Sequence, residues 1–226
     1  MSADRTLPAT RVEQLEQTLE AFDEAGGHRV LADVFAELDV EHALSEVVLP
    51  YLRAVGQRWE NGRIGVAQEH FASNVLRSRL SLLMQDAAEE VTARRPLVVL
   101  ACLPGEHHEF GLMAAALTLS RLGWQVCYLG ANTPTAELSL ACRTVLPDAV
   151  VVSALRPTAF AAHAPALRRL ARTTTVYVGA AGASSEVAEL CDAVWLDGDP
   201  VQAARVVDEG YAPVAPGVDD AESTAV

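Results

Sequence analysis

From residue 97 onward, five short apolar runs alternate with five amphipathic segments, and this alternation restricts the fold more than any other feature. Runs near 97–102, 125–129, 149–153, 175–178 and 193–196 have the length and apolar continuity of buried strands. Segments near 110–122, 135–146, 158–171, 184–191 and 200–209 read as helices. Strands separated by helices pair in parallel, because each helix carries the chain back across the sheet. The pattern predicts an α/β fold, a flavodoxin-like doubly wound sheet of five parallel strands. Ligands of such sheets sit outside the carboxyl ends of the strands.

Before residue 94 the pattern is helical. Val12, Leu15, Leu19 and Phe22 recur at spacings of three and four, and Gly26-Gly27 is expected to end that helix. A second helix is expected over about 28–38. A third starts near 39–41 and carries Leu44, Val47, Val48, Leu52, Val55 and Trp59, with Pro50 expected to kink or divide it. Asn61-Gly62 is a stop signal. A fourth helix is expected from about 65 to 93. Four helices with short loops make an antiparallel bundle. The expected organisation is a helical cap over 1–93, a Rossmann-like domain over 94–212 entered at Arg94-Arg95-Pro96, and a disordered tail over 213–226 rich in Pro, Gly, Ala and acids. The first ten or so residues are expected to fray.

The formal net charge of -13 argues against direct nucleic-acid binding, which needs a basic surface. Cys102, Cys127, Cys142 and Cys191 lie in apolar or helical contexts without metal-ligand spacing and read as reduced thiols of a cytoplasmic protein. No apolar run reaches the ~18 residues a membrane span needs, and no signal peptide is expected at the start of this sequence.

The chemistry concentrates in Glu106-His107-His108-Glu109-Phe110-Gly111, between the first strand and its helix. His108 there sits at the carboxyl edge of the sheet. Glu106 is two residues away, close enough to bond the ring nitrogen that does not hold a metal, fixing the tautomer. Gly111 is expected to leave room for a bulky group near the backbone. Glu109 is expected to cap the following helix. His107 points away on an extended loop. Trp124 and Trp195 read as packing residues, and His28, His42 and His163 as surface. Two later segments join the set: Ser153-Ala154-Leu155 after the third strand and Gly179-Ala180-Ala181-Gly182 after the fourth, with 41 residues between Gly111 and Ser153. Acid-x-His-x-x-Gly, then Ser-x-Leu, then a glycine pair resembles the cobalamin-binding fold of corrinoid mutases, methyltransferases and light-sensing regulators. Ala180 departs from the glycine pair, which implies a looser backbone approach.

The bundle adds Trp59, nine residues, then Glu69-His70. With the first motif, this resembles the light-sensing adenosylcobalamin regulators of the CarH/LitR group, over roughly 10–210. The resemblance implies that His108 coordinates cobalt from below, displacing the cofactor's own benzimidazole. It implies that Trp59 packs over the upper adenosyl group, that Val66, Glu69 and His70 line the same pocket, and that Ser153, Leu155, Gly179 and Gly182 surround the nucleotide tail. It implies cobalamin as the bound partner, with a homo-oligomer or a partner regulator protein downstream. There are two departures. Nothing basic or helix-turn-helix-like is read before the bundle, so the group's DNA-binding domain is not expected in this sequence. Glu60 stands where the photoreceptors carry a histidine, so a lit state would be ligated differently. The alternative functions are a corrinoid methyl carrier, for which the upper face must open to partners, and a regulator that reads cofactor level or redox state without light. Mutase activity is disfavoured by the lack of a barrel to hold a substrate radical. A doubly wound domain without cofactor is the plainest alternative.

Overall fold

A computed structural model describes residues 6–88 and 95–211; the expected tail over 213–226 lies outside the described residues. The helical half comprises α1 (Thr6–Glu20), α2 (Glu24–Glu37), α3 (Val40–His42), a π-helical segment (Ala43–Val48), α4 (Leu49–Glu60) and α5 (Val66–Ala88). The chain is helical from Thr6, within the segment expected to fray; residues 1–5 lie outside the described residues. Pro8 falls in the first turn, where its missing N–H is no loss.

Gly26-Gly27 does not end a helix; both glycines lie in the first turn of α2. Phe22, at φ +58, and Asp23 make the reversal instead. Asp23 caps α2 by accepting from the Gly26 N–H at 2.8 Å. A Cβ on Gly26 would run into that carboxylate, and one on Gly27 would lie 2.5 Å from Leu19 Cδ2. The glycines therefore let α2 start hard against α1. Pro50 divides its helix as expected. It sits in the first turn of α4, and the ladder widens before it, so that the Leu49 N–H reaches back to Leu44. At the next stop, Gly62 adopts φ +67. The Gly65 N–H then donates to Gln68 Oε1 at 2.9 Å and opens α5.

The sheet half comprises β1 (Leu97–Cys102), α6 (Phe110–Arg121), β2 (Gln125–Gly130), α7 (Thr135–Val145), β3 (Ala149–Ser153), α8 (Pro157–Leu170), β4 (Thr175–Gly179), α9 (Ser185–Cys191), β5 (Val194–Trp195) and α10 (Pro200–Glu209). The five strands are parallel in the order β2-β1-β3-β4-β5. The order reverses between β1 and β3, which opens a crevice at their carboxyl ends. Register aligns Cys102 with Ser153 and Ser153 with Gly179, so the three motif segments leave the sheet side by side. Trp195 is 39 % exposed on the short edge strand and is not the packing residue expected, whereas Trp124 is buried and donates from Nε1 to Asp208 at 2.8 Å.

Alternate strand residues feed two cores. Val99, Ala101, Val150, Val152, Val176 and Val178 pack under α7, α8 and α9. Val98, Leu100, Ala149, Val151 and Tyr177 pack under α6 and α10. A third core belongs to the bundle yet includes Met113, Ala114 and Leu117 of α6 and Val201 of α10. Helix α6 is buried without a break from Leu112 to Leu119, because it is sandwiched between sheet and bundle.

Candidate functional site

His108 leaves the carboxyl end of β1 with its side chain 73 % exposed, while Glu106 is buried beneath it. One oxygen of Glu106 lies 2.5 Å from His108 Nδ1 and also accepts the His108 backbone N–H at 2.9 Å. The other accepts the Leu155 N–H at 2.8 Å. Burial pushes the Glu106 carboxyl up, but the Leu155 and His108 N–H groups and the imidazole outweigh it and hold the carboxyl below its ordinary value. An ionised acceptor therefore makes Nδ1 the donor and turns Nε2 outward. Nε2 has no hydrogen-bond partner among the described residues.

The Ser-x-Leu and glycine segments close on this pair. Ser153 Oγ is 3.3 Å from Cys102 Sγ. Burial pushes that thiol up to about 11 despite the Ser153 contact, so it stays neutral at physiological pH. The Gly182 N–H donates to the Ala154 carbonyl at 3.0 Å, and a Cβ on Gly182 would lie 2.6 Å from the Arg156 nitrogen. Gly182 thus marks a true backbone-to-backbone approach. Gly179 does not, because a Cβ there would make ordinary contact with Leu196 at 3.6 Å. Ala180 keeps the left-handed backbone of a glycine at φ +72, so the loop is strained and not loosened.

Gly111 requires a correction. A Cβ there would meet Pro200 Cγ at 3.3 Å, so the residue serves the packing of α6 on α10 and no room for a ligand is shown. Glu109 requires another. It precedes α6 without capping it, and its carboxylate goes to Arg77 Nε at 2.9 Å and Tyr128 Oη at 3.1 Å.

The bundle residues gather beyond the same edge. Arg77 of α5 meets Glu109 at the start of α6, and Met84, two turns later, packs against both the bundle core and the α6–sheet core. The two helices therefore run alongside in the same direction, and α5 before residue 77 projects past the carboxyl edge of the sheet. Seven residues of helix put His70 about 10 Å beyond Arg77. Glu69 holds His70 Nδ1 at 2.6 Å and accepts from Ser73 Oγ at 2.7 Å. Trp59, in the last turn of α4, is 49 % exposed, and Val66, in the first turn of α5, is 54 % exposed. A surface depression of about 390 Å³ lined by Arg172, Thr174 and Asp192 lies at the opposite, amino end of β4 and takes no part.

Sequence reasoning missed Asn132. Its Oδ1 accepts the Gly105 N–H and its own N–H donates to the Glu106 carbonyl, each at 2.8 Å, which pins the turn that presents Glu106. Asn two residues before a proline, after a strand, is a turn signal that could have flagged it.

Among the described residues no group of three or more His, Cys, Asp and Glu side chains could hold a metal ion. A lone oriented imidazole suits a metal that brings its other ligands with it, as cobalt does in a corrin ring. The donor set fits that group: one outward imidazole nitrogen at a topological switch point, with an ionised carboxylate behind it. Fold and donor set together fit a cobalamin-binding protein of the bundle-plus-parallel-sheet class.

The comparisons agree. Residues 11–84 match one B12 binding domain family and residues 96–201 match a second, also described as a B12 binding domain. The chain belongs to the B12-binding proteins. It is 38% identical over 180 residues to the HTH-type transcriptional repressor CarH of Myxococcus xanthus, covering 78% of this chain and 59% of CarH. It is 40% identical over 158 residues to the HTH-type transcriptional repressor CarA of the same organism, covering 69% and 52%. The chain thus spans between half and three-fifths of these relatives. The Methanosarcina barkeri monomethylamine corrinoid protein shares the fold, with a TM-score of 0.70 at 18% identity over 86% of this chain and 95% of that one.

Proposed function

We propose that the chain is an adenosylcobalamin-binding regulator, with light-triggered loss of the upper ligand changing its conformation or assembly. The observation that carries this reading is the pairing of His108, clamped at Nδ1 by buried Glu106, with exposed Trp59 and Val66 on the overhanging end of the bundle. Bound adenosylcobalamin supplies a weak, photolabile Co–C bond.

His108 Nε2 would hold the cobalt from below, with Glu106 at Nδ1 fixing the orientation of the ring. Trp59 and Val66 offer apolar cover to an adenosyl group, with Glu69 and His70 at the polar margin. Covering a half-exposed Trp and Val stabilises the closed cap by roughly 2–3 kcal/mol in all. Losing that cover shifts a two-state cap equilibrium by roughly 30- to 150-fold. The 38% identity to a transcriptional repressor supports a regulatory role. A partner regulator protein or a second copy of the chain is the proposed receiver of the change.

The likeness to a monomethylamine corrinoid protein favours a second reading, a methyl carrier. One experiment separates the two. The chain is loaded in darkness with adenosylcobalamin or methylcobalamin and sized before and after green light. A light-dependent spectrum together with a change in size or shape, seen with the adenosyl form, is the expected result. Tighter binding of methylcobalamin, with no change in assembly in light, would favour the carrier.

A further inference from the structure

We infer that Arg77, Glu109 and Tyr128 form a tie that transmits the position of the helical cap to the His108 imidazole, with Glu109 as a positioning residue. The inference rests on the reading of His108 as the lower cobalt ligand.

Glu109 is the chain neighbour of His108. One of its oxygens accepts from Arg77 Nε of the bundle and the other from the Tyr128 hydroxyl on β2. Arg77 also donates to Asn74 Oδ1 at 3.1 Å and lies over the Phe110 ring, 5.2 Å from its centroid. The Glu109 side chain is 14% exposed and that of Arg77 40%, so water reaches the pair mainly from the Arg77 side. Gly130 leaves the space the carboxylate needs, since a Cβ there would lie 3.2 Å from Glu109 Oε2.

The other end of the tie reaches the overhanging residues. Glu69, Ser73 and Arg77 follow one another at four-residue spacing along one face of α5, and Ser73 bonds Glu69. A shift of α5 therefore either breaks the Arg77–Glu109 pair or drags the segment 108–110 with it. Glu106 holds His108 from the other side. Pulling Glu109 against that clamp changes the direction of Nε2. A further bundle-to-sheet ion pair, Arg205 with Glu41, joins α10 to α3 and does not touch this loop.

The test uses Arg77→Met, Glu109→Gln, the double variant and Arg77→Lys in the full chain. Dark binding of adenosylcobalamin and the fraction with imidazole as lower ligand are read by absorbance and by nitrogen hyperfine coupling in the Co(II) form. Backbone hydrogen exchange over 104–111 is read without cofactor. Each single variant is expected to weaken binding about 3- to 10-fold and to lower the imidazole-ligated fraction, with the double variant no worse than either single. Arg77→Lys is expected to recover part of the loss. Exchange over 104–111 is expected to quicken in Arg77→Met while β3 and β4 stay protected. Lower thermal stability with the ligated fraction and loop exchange unchanged would overturn the tie, as would additive effects in the double variant. Should the unmodified chain bind no cobalamin while Arg77→Met still loosens the loop, the site reading fails and the mechanical tie stands.

Discussion

Glu106→Gln is the sharpest single perturbation of the site. The Glu106 carboxylate faces three N–H donors: the backbone amides of His108 and Leu155 and the imidazole Nδ1–H. A glutamine keeps the shape but brings an NH2 of its own. Turned toward His108, that NH2 opposes two donors; turned toward Leu155, it opposes one. The cheaper orientation still loses one charge-assisted bond, worth about 1.5–3 kcal/mol, and weakens the other two. The variant is expected to lose about 2–3 kcal/mol of stability by thermal or urea unfolding. It is also expected to lose roughly 10- to 100-fold in dark adenosylcobalamin affinity, as for other groups that orient a metal-bound imidazole. The pH dependence has a fixed sign. A carboxyl held below its ordinary 4.5 contributes stability that is fully present above that value and is lost as pH falls through the lower folded value. Glu106→Gln should lack that part of the acid limb. Unchanged melting, affinity and acid limb would refute the clamp.

Three further variants probe separate parts of the structure. Ala180→Gly should relieve the left-handed strain at φ +72, raising stability by about 0.5–1 kcal/mol after the entropy of the unfolded glycine is subtracted, or roughly 1–4 °C in Tm; a fall in Tm contradicts the strain. Gly182→Ala places a methyl 2.6 Å from the Arg156 backbone nitrogen, and should cost about 2 kcal/mol or more and weaken cobalamin binding in a titration; wild-type stability would show that the approach is not tight. Trp59→Ala removes a side chain that is 49 % exposed and otherwise buried, so stability should fall by about 1–2 kcal/mol, while preference for adenosyl over methyl cobalamin falls in a competition assay. Equal preference in the variant and the parent chain counts against the cap role.

The sheet was legible because its signals are redundant. Each strand is a continuous apolar run with a helix behind it, and β1 and α6 begin where periodicity places them. The bundle was legible in its helices but not in all of its joints. Gly26-Gly27 has the composition of a stop, yet close packing against Leu19 puts both glycines inside α2. At the site, the Glu106–His108 bond follows from a two-residue spacing and needs no tertiary knowledge. Glu109 was misjudged because its partners, Arg77 and Tyr128, are 32 residues before it and 19 after it, and no local rule links them. Gly111 was misjudged for the same reason, since Pro200 is brought to it only by the packing of α10 on α6.

The central claim is that His108 Nε2 binds cobalt from below. The most direct measurement is the nitrogen hyperfine pattern of the Co(II) form, prepared with the chain labelled with ¹⁵N-histidine, beside the absorbance of the dark adenosylcobalamin complex in the parent chain and in His108→Ala. A pattern that changes with the label, and is lost in His108→Ala together with a shift to benzimidazole or water as the lower ligand, is the expected result. A chain that stays colourless with cobalamin, or a pattern indifferent to the label and to the substitution, would contradict it.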